Sequence, residues 1–413
     1  MLNLDEVARQ LTAVLNESAA IQDDLRGQLE AASETLKSSV AGWQPLARKM
    51  EAAETGWLFA QWLERPDAVY SLPPSIGNYT AIATDGSQTG LESSLPARLI
   101  LLNTGRIALR YGDGASATLK SMPLVLTEGS DLLNPLQGDY SSALMQQAIP
   151  ILRLQLELAA LKELLIGEAS EDRPVLCMVD GPLVLWVLEP LLGNRASSRT
   201  FQEPLALLSR NALDTLMELL DAARERRIPV VGYISGSAAR EFTHSLRLAR
   251  CPHETINCDY YCPGQPPNPN DPRRPWADCY GFETMTDRLF LEQRLKPGER
   301  SALFGSRSKV LEYYREHRIR FFYLNTGAEI ARVEMPQWVS DDPRWLSITH
   351  ALVADQAKKG GGYPVALSEA HEQAVIRGSD REDFIRLVQN ASVRSHHAVR
   401  LSRKALAKRA RRI

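Results

Sequence analysis

Two apolar segments of this chain each contain an aspartate followed by glycine. The first spans residues 81–87 and includes Asp85, and the second spans residues 175–182 and includes Asp180. Both have the length and composition of a buried strand. Open α/β sheets bind ligands beyond the carboxyl ends of their strands, so two acids at such ends predict a metal-holding pair. A single Asp-Gly after a strand is more often a turn signal, and the pair therefore needs further partners.

Length and composition predict a globular protein. The chain has 413 residues, of which 44% are hydrophobic and 24% charged, enough for a substantial core and for two or three domains. Its longest apolar runs, such as residues 183–188, are far shorter than the ~20 residues of a membrane span. The N-terminus also lacks a basic segment followed by an apolar one. We therefore expect a cytoplasmic protein without a membrane association.

The last twenty residues are strongly basic, although the whole chain has a formal net charge of only -2. Residues 394–413 contain eight Lys and Arg residues and no acid. Such a segment favours a polyanion, because each neutralised phosphate releases condensed counterions. The alternative is a solvated helix end. The predicted DNA-binding residues of this tail are Arg400, Arg403, Lys404, Lys408 and Arg409.

The N-terminal part of the chain has the pattern of a helical region. Leu, Val, Ile and Trp recur at helical spacing over residues 4–64, among many Glu, Gln, Lys and Ala. This pattern predicts two or three amphipathic helices. Proline and glycine residues at 73–78 mark a linker. We therefore assign residues 1–72 to a helical N-terminal extension and residues 73–393 to an α/β domain.

The elements after the linker follow the order strand, hairpin, helix, strand. Two strand-like runs flank Asn103-Thr104-Gly105, which predicts a β-hairpin with a tight turn there. Leucines at helical spacing predict a helix over residues 141–165, before the strand of Asp180. This order resembles the ribonuclease-H-like fold, a mixed sheet flanked by helices. Further strands are predicted at residues 228–235, 319–324 and 330–333.

In a ribonuclease-H-like fold, a helical glutamate joins acids on the first strand and on a later strand. The predicted helix offers Glu157 and Glu163, whose directions differ by about 120° around the axis, so both cannot face the sheet. Glu157 borders the leucine stripe and lies nearer the level of Asp180, whereas Glu163 falls nearly opposite the stripe. We therefore choose Glu157. An acid in such a helix is more often part of a solvated face.

A glycine-rich turn near the C-terminus leads into another predicted helix. Tyr363 lies in this turn, and His371 follows eight residues later, on the second turn of the helix. A histidine there can bind a metal or protonate a leaving oxygen, and a tyrosine can orient a phosphate. A lone helical histidine is more often structural, so this interpretation depends on the acids described above.

Together these motifs resemble those of the NurA nucleases, in the same order, between about Thr80 and Phe384. The matching positions are Asp85-Gly86-Ser87, Arg153, Glu157, Val179-Asp180-Gly181-Pro182-Leu183, Gly362-Tyr363-Pro364, Leu367, Ala370 and His371. The resemblance implies a manganese- or magnesium-dependent DNA nuclease, acting as a 5′–3′ exonuclease, a single-strand endonuclease or both. It also implies a homodimer that works with the HerA hexameric ATPase in resection of broken DNA ends.

By the same resemblance, Asp85, Glu157 and Asp180 match the metal-binding acids, and Tyr363 and His371 match later catalytic positions. These residue types fit the hydrolysis of a phosphodiester bond. Carboxylates can hold two divalent cations about 4 Å apart, and such ions activate a water molecule and compensate the charge on the phosphate. Asp85 would bridge both ions, and His371 would hold the second ion or protonate the leaving oxygen.

A catalytically silent adaptor that binds DNA or an ATPase is the alternative to this enzyme. A phosphotransferase is disfavoured because no P-loop pattern occurs.

Four of the five cysteines lie in one proline-rich segment at about residues 251–279, interpreted as an insertion in the α/β domain. They are Cys251, Cys258, Cys262 and Cys279, with His253 as a reserve ligand. In a reducing compartment such grouping favours a structural metal over disulfides, and we predict zinc or an iron–sulfur cluster. Because the spacing is not that of a standard zinc finger, free thiols in a long loop are the alternative.

Overall fold

The computed structural model describes residues 3–89, 99–136, 138–170, 172–192, 199–262, 279–282 and 285–394. Within them the strands are β1 (Gln61–Trp62), β2 (Val69–Tyr70), β3 (Tyr79–Gln88), β4 (Ile100–Tyr111), β5 (Ser116–Leu126), β6 (Val175–Asp180), β7 (Val230–Ile234), β8 (Arg300–Ser301), β9 (Phe304–Gly305), β10 (Ile319–Asn325) and β11 (Ile330–Pro336). The α-helices are α1 (Leu4–Val40), α2 (Trp43–Glu51), α3 (Ser142–Glu168), α4 (Glu189–Leu192), α5 (Arg199–Arg226), α6 (Glu241–Ala249), α7 (Cys258–Tyr261), α8 (Asp287–Glu292), α9 (Gln337–Asp341), α10 (Pro343–Lys359), α11 (Val365–Ala374) and α12 (Gly378–Arg394). Short 3-10 helices occur at Asp131–Leu136, Trp186–Leu188 and Lys309–Tyr313. No helix of the described ranges is long and apolar enough to span a membrane.

The chain divides into two compact units, each built from separate segments. The first unit consists of Met1–Leu72, Ile234–Ser308 and Arg318–Val333. The second consists of Pro73–Tyr233, Lys309–His317 and Glu334–Ile413.

The first unit buries α1 and α2 against later segments of the chain. Its core combines apolar residues of these helices with Phe242 of α6 and Phe304 and Phe321 of β9 and β10. The predicted N-terminal helices are confirmed as two, and Asn3 caps α1 by accepting a hydrogen bond from the Glu6 amide. They are followed by β1 and β2, which the helical pattern does not predict. Both strands pair antiparallel, β1 with β9 and β2 with β8.

The second unit contains a mixed sheet with the strand order β5-β4-β3-β6-β7. Strand β3 pairs antiparallel with β4, and β4 with β5, whereas β3-β6 and β6-β7 are parallel. This arrangement confirms the predicted ribonuclease-H-like mixed sheet flanked by helices. The helix predicted at residues 141–165 and the strands predicted at 228–235, 319–324 and 330–333 are present as α3, β7, β10 and β11.

The predicted hairpin turn at Asn103-Thr104-Gly105 is wrong. These residues lie inside β4, where they pair with Ser87, Gly86 and Asp85 of β3 on one side and with β5 on the other. The turn to β5 comes after Tyr111 and contains Gly112 and Gly114, whose φ angles are 81° and 68°. Gly105 serves a different purpose, because a Cβ there would overlap the carbonyl oxygen of Ala370 in α11. The glycine therefore permits close helix packing on the strand.

The position of Asp85 also differs from the prediction. Asp180 is the last residue of β6, as expected, but β3 continues past Asp85 to Gln88. The extension is possible because Gly86, Ser87 and Gln88 keep antiparallel partners in β4 after the parallel pairing with β6 has ended. Asp85 therefore lies at the point where β6 stops, rather than at the end of its own strand.

Candidate active site

Asp85 and Asp180 lie side by side on neighbouring parallel strands. The register pairs Thr84 with Val179, so the next residue of each strand is one of the two acids. Asp85 accepts a hydrogen bond of 2.7 Å through Oδ1 from the Gly86 amide, and its Oδ2 lies 2.8 Å from Nδ1 of His371. The sequence prediction thus names two acids that share one edge of the β3-β6 pair.

Asp180 has a perturbed environment. Burial raises the pKa of this carboxyl group, and the negative charge of Asp85 raises it further. A hydrogen bond from Tyr363 and the charge of His371 act in the opposite direction. Burial is thus the main cause of the raised pKa of Asp180, and the smaller contributions show that Asp85, Tyr363 and His371 all act on this carboxyl group.

Helix α3 brings Glu157 to these acids. Thr84 donates a hydrogen bond of 2.9 Å from Oγ1 to the Glu157 carbonyl oxygen, which ties the helix to β3. A Cβ at position 86 would overlap Oε1 of Glu157 and lie 2.8 Å from Cγ of Arg153. Gly86 therefore leaves the space that the carboxylate occupies, and any larger residue would displace it.

Glu157 is the most strongly perturbed acid of the group. Burial raises its pKa to about 8, with further increases from the charges of Asp85 and Asp180 and a decrease from Arg153. Arg153 lies one helical turn away, with Nε 3.0 Å from Oε1 of Glu157. Oε1 is nevertheless buried without a hydrogen bond of good geometry. The carboxylate is thus crowded by like charges and incompletely satisfied by hydrogen bonds.

Glu163 is placed elsewhere. Its carboxylate lies 2.5 Å from Arg106 of β4, and its side chain is 63% exposed, whereas that of Glu157 is 17% exposed. The two glutamates therefore point in different directions from α3, with Glu157 beside the two aspartates and Glu163 mostly in solvent, as the helical geometry requires.

Helix α11 and the turn before it supply the remaining side chains. Ser87 and Asn103 donate hydrogen bonds of 2.6 and 2.8 Å to the carbonyl oxygen of Ala374, which fix the helix on β3 and β4. His371 thereby reaches Asp85. Tyr363 packs edge-on against Tyr233, with ring centroids 5.4 Å apart.

Tyr233 is a part of the site that the sequence analysis missed. It is fully buried, and its register partner across the parallel pair is Asp180. Its hydroxyl group lies 3.4 Å from the carbonyl oxygen of Gly362, so it supports the turn that carries Tyr363. A usable signal was present, because Tyr233 falls near the end of a predicted parallel strand, where site residues gather.

A family model for the NurA domain matches residues 79–376, a span that contains all of these side chains. The chain belongs to the NurA domain family. None of the curated proteins compared with it matches. Among solved structures, the crystal structure of the NurA nuclease from Sulfolobus solfataricus is similar, with 15% identity and a TM-score of 0.49 over 96% of this chain and 98% of that chain. At these values the structural likeness adds nothing to the assignment of individual residues.

The donor set of this NurA domain fits a hard divalent cation. Three carboxylates and one imidazole converge, and oxygen ligands are those that Mg²⁺ and Mn²⁺ prefer. The raised pKa of Glu157 and its incompletely satisfied Oε1 are what a cation beside it would relieve. Within the part of the chain that the structure describes, no three His, Cys, Asp or Glu side chains already enclose one ion position. The side chains therefore converge without being closed into a coordination shell.

Two further predictions concern residues outside this site. Arg400, Arg403, Lys404, Lys408 and Arg409 lie outside the described residues, since the last described residue is Arg394 at the end of α12. The DNA-binding tail therefore stays a prediction. The cysteines at 251, 258, 262 and 279 form no disulfide bond and are partly buried, and they belong to the first unit.

Proposed function

We propose that this NurA-domain protein is a divalent-metal-dependent deoxyribonuclease that hydrolyses phosphodiester bonds in the resection of DNA ends. The observation that carries the proposal is the convergence of Asp85, Glu157 and Asp180, from β3, α3 and β6, with His371 of α11. A structural role alone would not favour three carboxylates crowded together in a half-buried place, because their mutual repulsion costs stability.

Asp85, Glu157 and Asp180 would hold the catalytic ions, Mn²⁺ or Mg²⁺. When bound, such ions lower the pKa of a water molecule and compensate the charge that develops on the phosphate. Tyr363 donates a hydrogen bond to Asp180 and so fixes the direction of that carboxylate. Arg153 restrains Glu157 by an ion pair instead, with Nε 3.0 Å from Oε1. Tyr363 and Arg153 are thus positioning residues for two of the acids.

His371 is suited to proton transfer. With Nδ1 held against Asp85 at 2.8 Å, the orientation of the ring is set and Nε2 is left for other partners. In the protonated ring Nε2 carries a hydrogen and can donate it to the departing oxygen of the DNA strand. In the neutral ring with hydrogen on Nδ1, Nε2 has a lone pair and can ligate the second ion.

Membership of the NurA family supports a proposal about the partners of this chain. We propose that it binds DNA, forms a homodimer and works with a HerA-type hexameric ATPase. The proposed reaction is 5′–3′ exonuclease cleavage, single-strand endonuclease cleavage or both. The acid-free tail at residues 394–413 supports a DNA ligand.

The direct test uses purified full-length protein with end-labelled single- and double-stranded DNA. We expect cleavage with Mn²⁺ or Mg²⁺, none with EDTA, and recovery when Mn²⁺ is added back. Labels at the 5′ and the 3′ end distinguish the polarity, and a circular single strand reports endonuclease activity. A folded protein that binds DNA without cleaving it under all metal conditions would contradict the proposal and favour an adaptor.

A further inference from the structure

Four cysteines approach one another in the first unit, on three separate segments. Cys251 follows the end of α6, with its amide donating to the Leu248 carbonyl oxygen at 3.0 Å. Cys258 begins α7 and Cys262 caps its end, with a 3.0 Å hydrogen bond from the Cys262 amide to the Cys258 carbonyl oxygen. The charge of Cys262 acts on the pKa of Cys258, so these two thiols lie within electrostatic range of each other. Cys279 comes from a third segment.

The three segments are connected by specific contacts. Arg250 donates a hydrogen bond of 3.2 Å to the Tyr280 carbonyl oxygen, which holds Cys279 near the end of α6. The rings of His253 and Tyr261 stack with centroids 4.0 Å apart, which holds the loop after Cys251 against α7. Both contacts restrict the positions of the cysteines without any bound ligand.

The same segments are anchored to the N-terminal part of the first unit. Lys49 of α2 donates to the Cys251 carbonyl oxygen at 2.7 Å, and the Cys258 amide donates to the Glu54 carbonyl oxygen at 3.0 Å. Cys251 and Cys258 also pack against the apolar core of this unit. Two of the four thiols are therefore held at the margin of a packed core.

The electrostatic interactions agree with this convergence. Burial raises the pKa of Cys258 to about 11, and charges on Cys279, Cys262 and Cys251 raise it further. Burial likewise raises the pKa of Cys262 and Cys279, with contributions from the other cysteines. Each of the six pairs among the four thiols interacts electrostatically, so the four side chains lie in one neighbourhood of the first unit.

A buried arginine accompanies the thiols. Arg247 of α6 donates a hydrogen bond to the Cys279 sulfur, and its guanidinium lies 4.8 Å from the Trp57 ring centroid and 5.5 Å from that of Tyr280. Four thiolates around Zn²⁺ carry a net charge of -2, which a neighbouring cation offsets. An N–H donor to a metal-bound sulfur is also the usual kind of outer contact that orients a ligand.

We propose that Cys251, Cys258, Cys262 and Cys279 form a structural zinc site, with Arg247 as its positioning residue. One ion with four thiolates gives the closed tetrahedral coordination of structural zinc, and no inorganic sulfide needs to be accommodated. Among the described residues no three such side chains already enclose one ion position, so zinc binding would require the cysteine side chains to rotate toward a common point. The site would join the end of α6, the whole of α7 and the Cys279 segment, and so stabilise the first unit.

The test measures metal content in the full-length protein purified without chelator. We expect about one zinc per chain in the wild type and less than about one tenth of that in a C258S and C262S double variant. Cys177→Ala is the matched control, because it removes the fifth, fully buried cysteine, in β6 of the second unit. Asp180→Ala is a second control, because it removes a carboxylate of the proposed catalytic site. Both controls should keep the zinc.

A further measurement keeps the proposal testable if the double variant does not fold. Wild-type protein produced with cobalt should show the intense absorption of a tetrahedral cobalt–thiolate centre. The proposal is overturned if the native wild type contains no stoichiometric metal and all four thiols react readily with an alkylating agent. Iron with acid-labile sulfide would also overturn the zinc assignment. Zinc that is lost in Asp180→Ala but kept in the double variant would place the ion at the carboxylates instead.

Discussion

The ionised form of Glu157 is disfavoured in the proposed catalytic site. Burial and the charges of Asp85 and Asp180 raise its pKa to about 8. Without a metal ion, the neutral carboxyl group is therefore favoured over the carboxylate at neutral pH. A divalent cation would favour the charged form and displace that proton. Metal binding and the protonation of Glu157 are therefore expected to be linked.

The first prediction concerns the pH dependence of stability in EDTA. Between pH 4.5 and about 8 the folded state keeps a proton on Glu157 that the unfolded chain has lost, so stability must fall as the pH rises through this window. Melting temperatures should decrease across this range in the wild type and less steeply in Glu157→Gln. A wild type and variant with parallel profiles would contradict the raised pKa.

The second prediction concerns the two aspartates. Asp85→Ala and Asp180→Ala should reduce Mn²⁺-dependent cleavage to the rate seen with EDTA, because each removes a proposed metal ligand. The fold should persist, since neither change opens a core cavity, and loss of charge repulsion should maintain the melting temperature. Near-wild-type cleavage by a well-folded Asp85→Ala protein would disprove the assignment.

The third prediction separates the two glutamates of α3. Glu157→Gln should damage cleavage as severely as loss of an aspartate, because the amide cannot supply the negative charge of the ligand. Glu163→Gln is the matched control on the same helix, and it should change cleavage little, since Glu163 pairs with Arg106 and is mostly exposed. The reverse result would transfer the role to Glu163. Initial cleavage rates at saturating Mn²⁺ measure the difference.

At the scale of elements, the placement of α11 determines whether His371 reaches Asp85. The helix lies against β3 and β4 through hydrogen bonds from Ser87 and Asn103, and through the absence of a side chain at Gly105. This packing brings His371 into contact with Asp85, although the two residues are 286 positions apart in the chain. Backbone packing over a glycine thus positions a proposed proton donor.

The fourth prediction tests this packing. Gly105→Ala would drive a methyl group into the Ala370 carbonyl oxygen, so we expect unfolding free energy to fall by about 1–3 kcal/mol and cleavage to decrease with it. Gly167→Ala in α3 is the control, because nothing lies within 4 Å of a Cβ there. Denaturant unfolding of the two variants makes the comparison. Equal stability of both would contradict the close approach of α11.

At the scale of the whole molecule, the two units differ in the chemistry they are proposed to carry. The carboxylates and His371 belong to the second unit, and the four clustered cysteines belong to the first. The first unit is also formed from three separated segments, so α1 and α2 share a core with residues more than 180 positions later in the chain, such as Phe242. A metal site near Cys258 would reinforce contacts that local sequence alone does not provide.

The fifth prediction concerns the basic tail. Deleting residues 394–413 should weaken DNA binding and flatten its salt dependence, because each lost phosphate contact lowers the slope of log K against log salt by about one unit or less. Cleavage of DNA at low salt should persist, since the proposed catalytic residues remain. Binding isotherms at several salt concentrations measure the effect. Unchanged affinity and slope would identify the tail as a solvated segment or a protein-docking segment.

Much of the second unit could be predicted from sequence, because its elements have strong local patterns. The apolar runs before Asp85 and Asp180 predicted β3 and β6, and the leucine stripe predicted α3 within a few residues of its ends. Helical geometry further predicted that only one of Glu157 and Glu163 could face the sheet, and the structure places Glu157 there. Side-chain periodicity is a local property, so a single sequence contains it.

Other features depended on contacts that no local pattern contains. Gly105 has the sequence signature of a turn but lies inside β4, because the partner that requires a glycine is α11, far away in the chain. The role of Tyr233 and the meeting of Asp85 with His371 likewise follow from strand register and helix packing. The sequence by itself determined which residues could form strands, helices and ligands, whereas the tertiary structure decided which of them meet, because packing and close backbone approach arise only when distant segments come together.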